Sequence, residues 1–385
     1  MLKRSWMYLV SCCMIMMSIP LAGRGQAAAA EAGIAALMKK YEAVGLAVAV
    51  VKDGKIIYTH TFGVKNIETQ QPIANDDLFR IASISKSFTA TSLMQLVEAG
   101  KISLDDDFGK LVGFAIRNPQ YPETVITLRM VLSHTSSIND SQGYFNLDVI
   151  NPAKNAGYAK CYNNYEPGKG YQYCNLNFNM AGTVLEKLSG VRFDQYVKHH
   201  ILDPLQLYGG YCVDSLKQDR FVSLYAYDTT THQYTPQPLA YAPRHEELSH
   251  YVMGYSTPIL SPTGGMKISA PDLARYMCMH MYQGKYNGVK FISKKSAHQM
   301  QTPVALKEGY GLALHTEANL LPGKVMMGHT GSAYGLYSTM FFHPQEKFGI
   351  VTITNGCNTP DTDDTNPFLK EVNQVLYKTL IEKQP

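Results

Sequence analysis

The chain lacks the features that mark nucleic-acid-binding and metal-binding proteins. Its 35 Lys and Arg and 31 Asp and Glu form no basic stripe and no acidic tail, so no nucleic-acid partner is predicted. It contains no C-x-x-C pair. In "RHEELSH", His245 and His250 stand five residues apart, whereas the H-E-x-x-H motif needs four to place both ligands on one helical face. Neither a metal nor a cofactor is therefore predicted.

Long apolar runs are also missing, except at the N-terminus. "MLKRSW" is basic, Met7 to Ala22 is almost wholly apolar, and small residues follow. This pattern predicts a signal peptide over residues 1–26 and a periplasmic or secreted protein. The alternative is an uncleaved membrane anchor, but sixteen apolar residues interrupted by Pro20 are short for a span. No stable membrane span is expected after cleavage.

Cysteine is scarce, and its number is odd. Two of the seven cysteines fall in the predicted signal peptide. The remaining five are Cys161, Cys174, Cys212, Cys278 and Cys357. Five cysteines cannot all pair within one chain, and the pairing among them stays open. Cys161–Cys174 is a candidate disulfide. Cys278 lies in "DLARYMCMHMY", a predicted buried helix, and is expected to be a small core residue.

Strand and helix patterns occupy the two ends of the chain. "GLAVAVVKDGKIIYTHTFG" predicts a hairpin that turns at Asp53 and Gly54. "KVMMGHTGSAYGLYSTMFFHPQEKFGIVTITNG" predicts three antiparallel strands with a turn at residues 343–346. "NPFLKEVNQVLYKTLI" predicts a closing helix, with Asn366 as its cap and Pro367 in its first turn.

The middle of the chain is different, because it is rich in Tyr, Asn and Pro and contains only short helical patterns. The predicted fold is therefore α/β (α+β), with an antiparallel β-sheet flanked by helices and an inserted all-helical domain. The predicted boundaries are 31–105 for the first part of the α/β domain, 106–245 for the helical insert and 246–385 for the second part of the α/β domain.

The spacing of Ser83 and Lys86 in "RIASISKSFTA" points to chemistry. On a helix over residues 83–99, Lys86 falls on the apolar face. The polar face carries Ser85, Thr89 and Ser92. An unpaired ammonium among apolar residues is costly, so Lys86 needs partners or a lowered pKa. A desolvated lysine can take the proton of a serine one turn away. The alternative is a helix cap followed by a lysine that reaches solvent.

Two further stretches strengthen the catalytic interpretation. "PGKGYQYCNLNF" places Tyr173 and Asn175 where a loop meets a helix, and "GHTGSAYG" places His329 at the end of a predicted strand. Tyr-x-Asn also occurs at Tyr144 and Tyr162, but Tyr173 is preferred because "PGKGYQY" includes it and a helix pattern follows. A serine with a lysine, a tyrosine with an asparagine, and a strand ending in a small turn can form three walls of one acyl-transfer site.

Together with "LDDDF", "ITLRMVLSHTSSI" and "SPTGGMKISAPDLARYM", these stretches resemble the serine β-lactamase and penicillin-binding-protein superfamily, specifically the class C β-lactamase-like serine hydrolases. The resemblance covers nearly all of the mature chain. It implies a serine hydrolase that forms an acyl-enzyme with an amide or ester, above all a D-amino-acid-containing peptide, as a D,D-carboxypeptidase or aminopeptidase does. The alternatives are a short-chain esterase, a class C-type β-lactamase and a non-catalytic protein that binds cell-wall fragments.

The resemblance also implies a role for each residue of the first two walls. Ser83 is the acylated nucleophile, and Lys86 is the base or proton relay. Tyr173 is a general base in acylation that also activates water or protonates the leaving group. Asn175 binds the substrate amide and touches Lys86. Small molecules or peptides are the implied partners.

On the third wall, the implied substrate-binding strand consists of His329, Thr330, Gly331 and Ser332. The backbone N–H groups of Ser83 and Ser332 are expected to form an oxyanion hole. His329 stands where many relatives carry a lysine, and it is expected to donate a hydrogen bond in place of that cation. Weak recognition of carboxylates and poor β-lactam hydrolysis follow from this, because charge-assisted hydrogen bonds are the stronger kind.

Two residues near these stretches are expected to be structural. His134, in "LSHTSSI", is predicted to be a ring satisfied by neighbouring backbone rather than the base of a triad. Cys174 stands where many relatives have Ser or Ala, and it is expected to be a packed thiol.

Overall fold

A computed structural model describes residues 21–360 and 365–382 of the chain. Most of the predicted signal peptide lies outside these residues, so it stays a prediction. No helix in the described part is long and apolar enough to cross a membrane. The α-helices of the described part are α1 Leu21–Lys40, α2 Ser85–Glu98, α3 Phe108–Val112, α4 Leu128–Leu132, α5 Asn175–Ser189, α6 Phe193–Val197, α7 Asp203–Leu205, α8 His245–Ser249, α9 Ala270–Met281, α10 Lys294–Gln301 and α11 Pro367–Leu376.

Short helical turns and strands connect these helices. The 3₁₀ helices are Ala82–Ile84, Leu147–Ile150, Tyr158–Cys161, Val213–Ser215, Gln218–Arg220, Pro238–Tyr241 and Thr257–Leu260, and the π-helical turns are Lys198–Leu202 and Tyr377–Ile381. The strands are β1 Gly45–Lys52, β2 Lys55–Asn66, β3 Gln71–Pro72, β4 Phe79–Arg80, β5 Gly209–Gly210, β6 Tyr225–Asp228, β7 Gln233–Pro236, β8 Lys267–Ile268, β9 Lys285–Tyr286, β10 Val289–Lys290, β11 His315–Leu321, β12 Lys324–Ala333, β13 Leu336–His343 and β14 Phe348–Thr354.

The main sheet has seven strands in the order β11-β12-β13-β14-β1-β2-β3, and all neighbours are antiparallel. β1 pairs with β14, from Leu46 opposite Thr354 to Lys52 opposite Phe348, so strands from the two ends of the chain form one sheet. The predicted hairpin is confirmed: Asp53 and Gly54, which join β1 and β2, both have positive φ, as a two-residue type I′ turn requires. The predicted fold class is likewise confirmed.

β1 shows why the sheet lies between two layers of helices. All of its residues up to Val51 are buried. Alternate side chains of a strand point to opposite faces. Leu46 belongs to a core formed with α1 and α11, whereas Ala47 belongs to a separate core formed with α2 and α9. The sheet is therefore covered on both faces at β1, which reads as a continuous apolar run.

The region predicted as a helical insert contains α3 to α7, and it also contains the hairpin of β6 and β7, which the sequence analysis did not predict. In that hairpin Tyr225 pairs with Pro236. The hairpin lies next to the main sheet, because Tyr225 N donates to the carbonyl of Asn355, which directly follows β14. The predicted domain boundaries stay predictions.

The predicted helix after Ser83 is confirmed, but its predicted polar face is wrong. Ser85, Thr89 and Ser92 are fully buried. The Ser85 hydroxyl accepts from the Met266 N–H at 3.0 Å, and the Thr89 hydroxyl donates to the Pro262 carbonyl at 2.8 Å. These hydroxyls satisfy the backbone of a packed loop rather than facing water, so α2 is enclosed on both sides.

All five described cysteines are free and buried. The candidate disulfide between Cys161 and Cys174 is therefore not formed. The Cys161 thiol contacts the Val149 carbonyl at 3.3 Å instead. The prediction for Cys278 is confirmed, because it is fully buried in α9.

Candidate active site

Ser83 lies in the short 3₁₀ turn between β4 and α2, and it lines a cleft of about 1030 Å³. The segment before it is tightly fixed. Ile81 N donates to the Met266 carbonyl at 3.0 Å, and the Ser338 hydroxyl donates to the Ile81 carbonyl at 3.0 Å. The serine is therefore presented to the cleft from a rigid support.

β12 forms the cleft edge that faces Ser83. Its pairing with β11 ends at Gly328, which lies opposite His315. Thr330 and Ser332, in the part of β12 that β11 does not cover, line the cleft. Gly331 is buried instead, and a Cβ atom added there would lie 2.3 Å from the Ile81 carbonyl oxygen. Glycine thus allows the strand to approach the nucleophile segment. The predicted contact of Gly331 with substrate stays a prediction.

Lys86 is fully buried and points back at Ser83. Its Nζ lies 3.0 Å from the Ser83 Oγ, 2.8 Å from the Asn175 Oδ1 and 3.0 Å from the Thr263 carbonyl oxygen. Burial lowers the pKa of Lys86 to about 7, and the negative charge of Asp140 partly opposes this shift. A lysine in this state is partly neutral at pH 7 and can accept a proton.

Tyr173 completes the group around Ser83. Its ring lies 4.7 Å from the Lys86 Nζ. Burial raises the pKa of Tyr173, and a hydrogen bond with Ser83 only partly offsets this. The phenol therefore keeps its proton, which makes Lys86 the better base of the two in the free protein. Of the rival tyrosines, Tyr144 lines the cleft, whereas Tyr162 is buried with its hydroxyl unpartnered.

Asn175 is held by an acidic residue that the sequence analysis missed. The Asp140 carboxylate accepts from the Asn175 N–H at 2.8 Å, the Asn175 Nδ2 at 3.0 Å and the Leu176 N–H at 2.9 Å. It thereby caps the start of α5. The Thr263 hydroxyl donates to the Asn175 Oδ1 at 2.8 Å. The Asn175 oxygen is thus turned toward Lys86, and the predicted contact between the two is present.

His329 is bonded differently from the expectation. Its Nδ1 lies 2.5 Å from the Thr330 carbonyl oxygen, which can only accept, so Nδ1 carries the hydrogen. Its Nε2 is then an acceptor, and it lies 2.9 Å from the hydroxyl of Tyr310. Burial lowers the pKa of His329 well below its usual range. The ring is neutral, and neither nitrogen is free to donate to a substrate.

The predicted backbone contact of His134 is confirmed for one of its two ring nitrogens. Its Nδ1 accepts from the Cys174 N–H at 3.1 Å, and burial lowers its pKa well below the usual range. Its Nε2 is buried without a partner. The Cys174 thiol donates to the Asp140 carboxylate at 3.2 Å, and burial raises its pKa well above the usual range. A neutral, hydrogen-bonded thiol of this kind is a poor nucleophile, as expected for a packed residue.

Backbone strain is present around this group. Four non-glycine residues near the cleft have positive φ, namely Ala82 at 45°, His134 at 59°, Ser261 at 54° and Tyr334 at 57°. Such conformations are costly and persist where the surrounding structure enforces them, which is typical of functional sites. Ala82 directly precedes Ser83, so the strain lies at the nucleophile itself.

A serine beside a buried lysine, in a cleft at the edge of an antiparallel sheet, defines the protein as a serine hydrolase. The chain belongs to the beta-lactamase family, which matches residues 30–374. This confirms the superfamily inferred from the sequence.

Known relatives agree with this assignment. The chain is 27% identical over 344 residues to penicillin-binding protein 4 of Amycolatopsis lactamdurans, covering 83% of each chain. It superimposes with a TM-score of 0.69 and 26% identity on the octameric penicillin-binding protein homologue from Pyrococcus abyssi, over 87% of this chain and 74% of that one. The D-amino acid amidase from Ochrobactrum anthropi SV3 has the same fold, with a TM-score of 0.70 and 18% identity over 92% and 99% of the two chains.

Proposed function

We propose that this protein is a periplasmic or secreted serine hydrolase that cleaves amide bonds in peptides or amides containing D-amino acids. The observation that carries the proposal is the distance of 3.0 Å between the Lys86 Nζ and the Ser83 Oγ, with the pKa of the lysine lowered to about 7 by burial. This pair supplies an activated nucleophile at neutral pH. The predicted signal peptide supports export.

The reaction begins when the Ser83 Oγ attacks the substrate carbonyl carbon and its proton passes to the Lys86 Nζ. Negative charge develops on the carbonyl oxygen, beside the backbone N–H groups of Ser83 and Ser332. The tetrahedral adduct then breaks its C–N bond, and the leaving amine receives a proton through Lys86 or the Tyr173 hydroxyl. Water attacks the resulting ester by the same route, which releases the carboxylic acid and restores Ser83.

Two observations favour D-amino-acid amides over β-lactams as substrates. The D-amino acid amidase from Ochrobactrum anthropi SV3 shares the fold of this chain. In addition, His329 is neutral, and both of its nitrogens are occupied by Thr330 and Tyr310. This strand therefore offers no cation for the carboxylate beside a β-lactam ring.

Covalent labelling and a substrate panel test the proposal. The protein is treated with a fluorophosphonate probe, and the adduct is mapped by mass spectrometry. Turnover is then measured for D-alanine p-nitroanilide and its L-enantiomer, a D-Ala-D-Ala peptide, p-nitrophenyl butyrate and a chromogenic cephalosporin. We expect an adduct on Ser83, higher kcat/KM for D- than for L-amide, and poor cephalosporin turnover.

The control variants are Ser83→Ala, which should lose both labelling and turnover, and Cys174→Ala, which should keep both. An adduct on Cys174 contradicts the assignment of the nucleophile. Turnover of the ester alone makes the protein an esterase, and efficient turnover of the cephalosporin makes it a β-lactamase. If the wild type is not labelled and turns over none of the substrates, a protein that only binds cell-wall fragments is favoured.

A further inference from the structure

Arg80 differs from the other arginines whose side chains the structure describes. Each of those has a carboxylate within ion-pairing distance; they are Arg117, Arg129, Arg192, Arg220, Arg244 and Arg275. No described carboxylate pairs with Arg80, although only 6% of its surface is exposed. A guanidinium keeps its charge at any ordinary pH, and buried charges normally have a counter-ion. Arg80 is therefore a buried positive charge that the described residues leave without a carboxylate partner.

Backbone groups hold this guanidinium in one orientation. Its Nε donates to the Gly264 carbonyl at 2.9 Å, and its Nη1 donates to the Ala240 carbonyl at 3.2 Å. The ring of Tyr334 covers it, with the Arg80 Cζ 5.0 Å from the ring centroid. No described residue accepts a hydrogen bond from Nη2. Arg80 lines the cleft that contains Ser83, and Nη2 is the guanidinium nitrogen left without a described acceptor.

The charges along the cleft are unequally distributed. Arg80 is the one cation among its described lining residues, and Tyr144, Phe145 and Tyr334 line the cleft with it. Burial raises the pKa of Tyr144, which is therefore neutral near Arg80.

A second group of lining residues packs around Tyr310. It consists of Tyr171, His315 and His329. Burial lowers the pKa of His315 to about 4, so this group is neutral as well. The exposed carboxylate of Glu308 lines the cleft too. An anionic ligand group is thus attracted to Arg80 rather than to the residues around Tyr310.

We propose that Arg80 binds a carboxylate of the substrate, so that the preferred D-amino-acid peptide or amide carries an acidic group away from the scissile bond. The carboxylate accepts from Nη2 and neutralises the guanidinium, in a pocket whose neutral aromatic walls strengthen the interaction. This proposal rests on the proposed function, because the ligand is the substrate itself.

Matched substrate pairs test this subsite. On the acyl side, N-succinyl-D-alanine p-nitroanilide is compared with the succinamoyl compound, in which a carboxamide replaces the carboxylate. On the leaving-group side, N-acetyl-D-alanyl-4-aminobenzoate is compared with the corresponding 4-aminobenzamide. We expect the wild type to prefer the acid of at least one pair by about 10- to 100-fold in kcat/KM, as a hydrogen bond to a charged group predicts.

Three variants show whether that preference comes from Arg80. Arg80→Met should reduce the ratio of acid to amide to near one, and Arg80→Lys should keep part of it. Arg275→Met removes an ion-paired arginine on α9 and should leave the ratio unchanged. Thermal melting establishes that each variant is folded. An unchanged ratio in folded Arg80→Met overturns the proposal. If Arg80→Met does not fold, the proposal is tested with the wild type and Arg80→Lys. A wild-type ratio of acid to amide near one in both pairs then overturns the proposal.

Binding measurements separate this proposal from the proposed function. If the wild type hydrolyses none of the four compounds, the proposed amidase function fails. Calorimetric titration of Ser83→Ala with the same four compounds then tests Arg80 alone. Tighter binding of the acids that is lost in Ser83→Ala with Arg80→Met supports the subsite, and equal binding of acid and amide overturns it.

Discussion

The Lys86 amine has a hydrogen-bond environment that suits a base. The Asn175 Nδ2 donates to the Asp140 carboxylate, so the Asn175 Oδ1 must face Lys86 as an acceptor. The Thr263 carbonyl is also an acceptor. A neutral amine has two hydrogens, and these two acceptors take both. The lone pair is then left toward the Ser83 Oγ at 3.0 Å, where it can receive the hydroxyl proton.

The pH dependence of the reaction should therefore follow Lys86. Its pKa is lowered to about 7 by burial, so the active neutral form increases as pH rises through 7. We expect kcat/KM of the wild type to rise with pH along an acidic limb centred near 7. Lys86→Met should lose about 10²- to 10⁴-fold in rate together with that limb. Lys324→Met, on the sheet surface, is the control and should keep both. A limb that persists unchanged in the residual activity of Lys86→Met contradicts this role.

At the scale of elements, the start of α5 is joined to the catalytic group by one carboxylate. Asp140 caps the first N–H groups of the helix and also fixes the Asn175 side chain. A negative charge at a helix N-terminus is favourable because of the helix dipole. The same charge also raises the pKa of Lys86, against the larger effect of burial. Asp140 is thus a positioning residue with an electrostatic influence on the base.

Asp140→Asn should separate these contributions. Loss of the negative charge at the start of α5 should cost about 0.3–2 kcal/mol of unfolding free energy, measured by denaturant titration. Without the negative charge, the pKa of Lys86 falls further, so the acidic limb of kcat/KM should move to lower pH. Asp107→Asn is a matched control, because Asp107 caps α3 by accepting from the Gly109 N–H at 3.0 Å. It should lose stability without moving the limb. If the acidic limb does not move in Asp140→Asn, the electrostatic influence of Asp140 on Lys86 is refuted.

Elements with strong local signals could be predicted from the sequence. β12, β13 and β14 follow the predicted strands and turns, and Asn366 caps α11 by accepting from the Leu369 N–H at 3.2 Å. The hairpin of β6 and β7 could not be predicted, because its turn at residues 229–232 lacks a glycine and its strands are short. The burial of Thr89 depends on a loop more than 170 positions away, which no local pattern reveals.

The same distinction applies to the site. Ser83 and Lys86 share one helical turn, and Tyr173 and Asn175 share one junction, so their spacing alone predicts proximity. Asp140 approaches Asn175 from a loop 35 residues earlier. Tyr310 likewise lies in a loop, and it contacts His329 only because β11 and β12 fold back on each other. Contacts of this kind depend on tertiary packing, which the sequence pattern does not contain.

Across the whole molecule, four histidines are buried and neutral. Burial lowers the pKa values of His134, His280, His315 and His329, to about 4 for His315 and about 3 for His280. His134 and His329 pack beside Tyr173, and His315 packs on His329. His280 lies in α9. In the unfolded chain each titrates near its ordinary pKa of about 6.5. Between the folded and unfolded pKa values, the unfolded state therefore binds more protons.

Acid should consequently destabilise the fold. A depressed histidine pKa contributes stability that is complete above about 6.5 and is lost as pH falls toward the folded value. Each of the four should contribute about 1.4 kcal/mol per pH unit to the slope of unfolding free energy across that interval. Urea titrations at pH 7.5, 6.5, 5.5 and 4.5 measure the slope. His280→Gln, which keeps a polar partner for Tyr276 in α9, should reduce it by about one proton. His232→Gln, at an exposed position, is the control and should leave it unchanged. A slope that is equal in the wild type and His280→Gln shows that acid unfolds the protein through other groups.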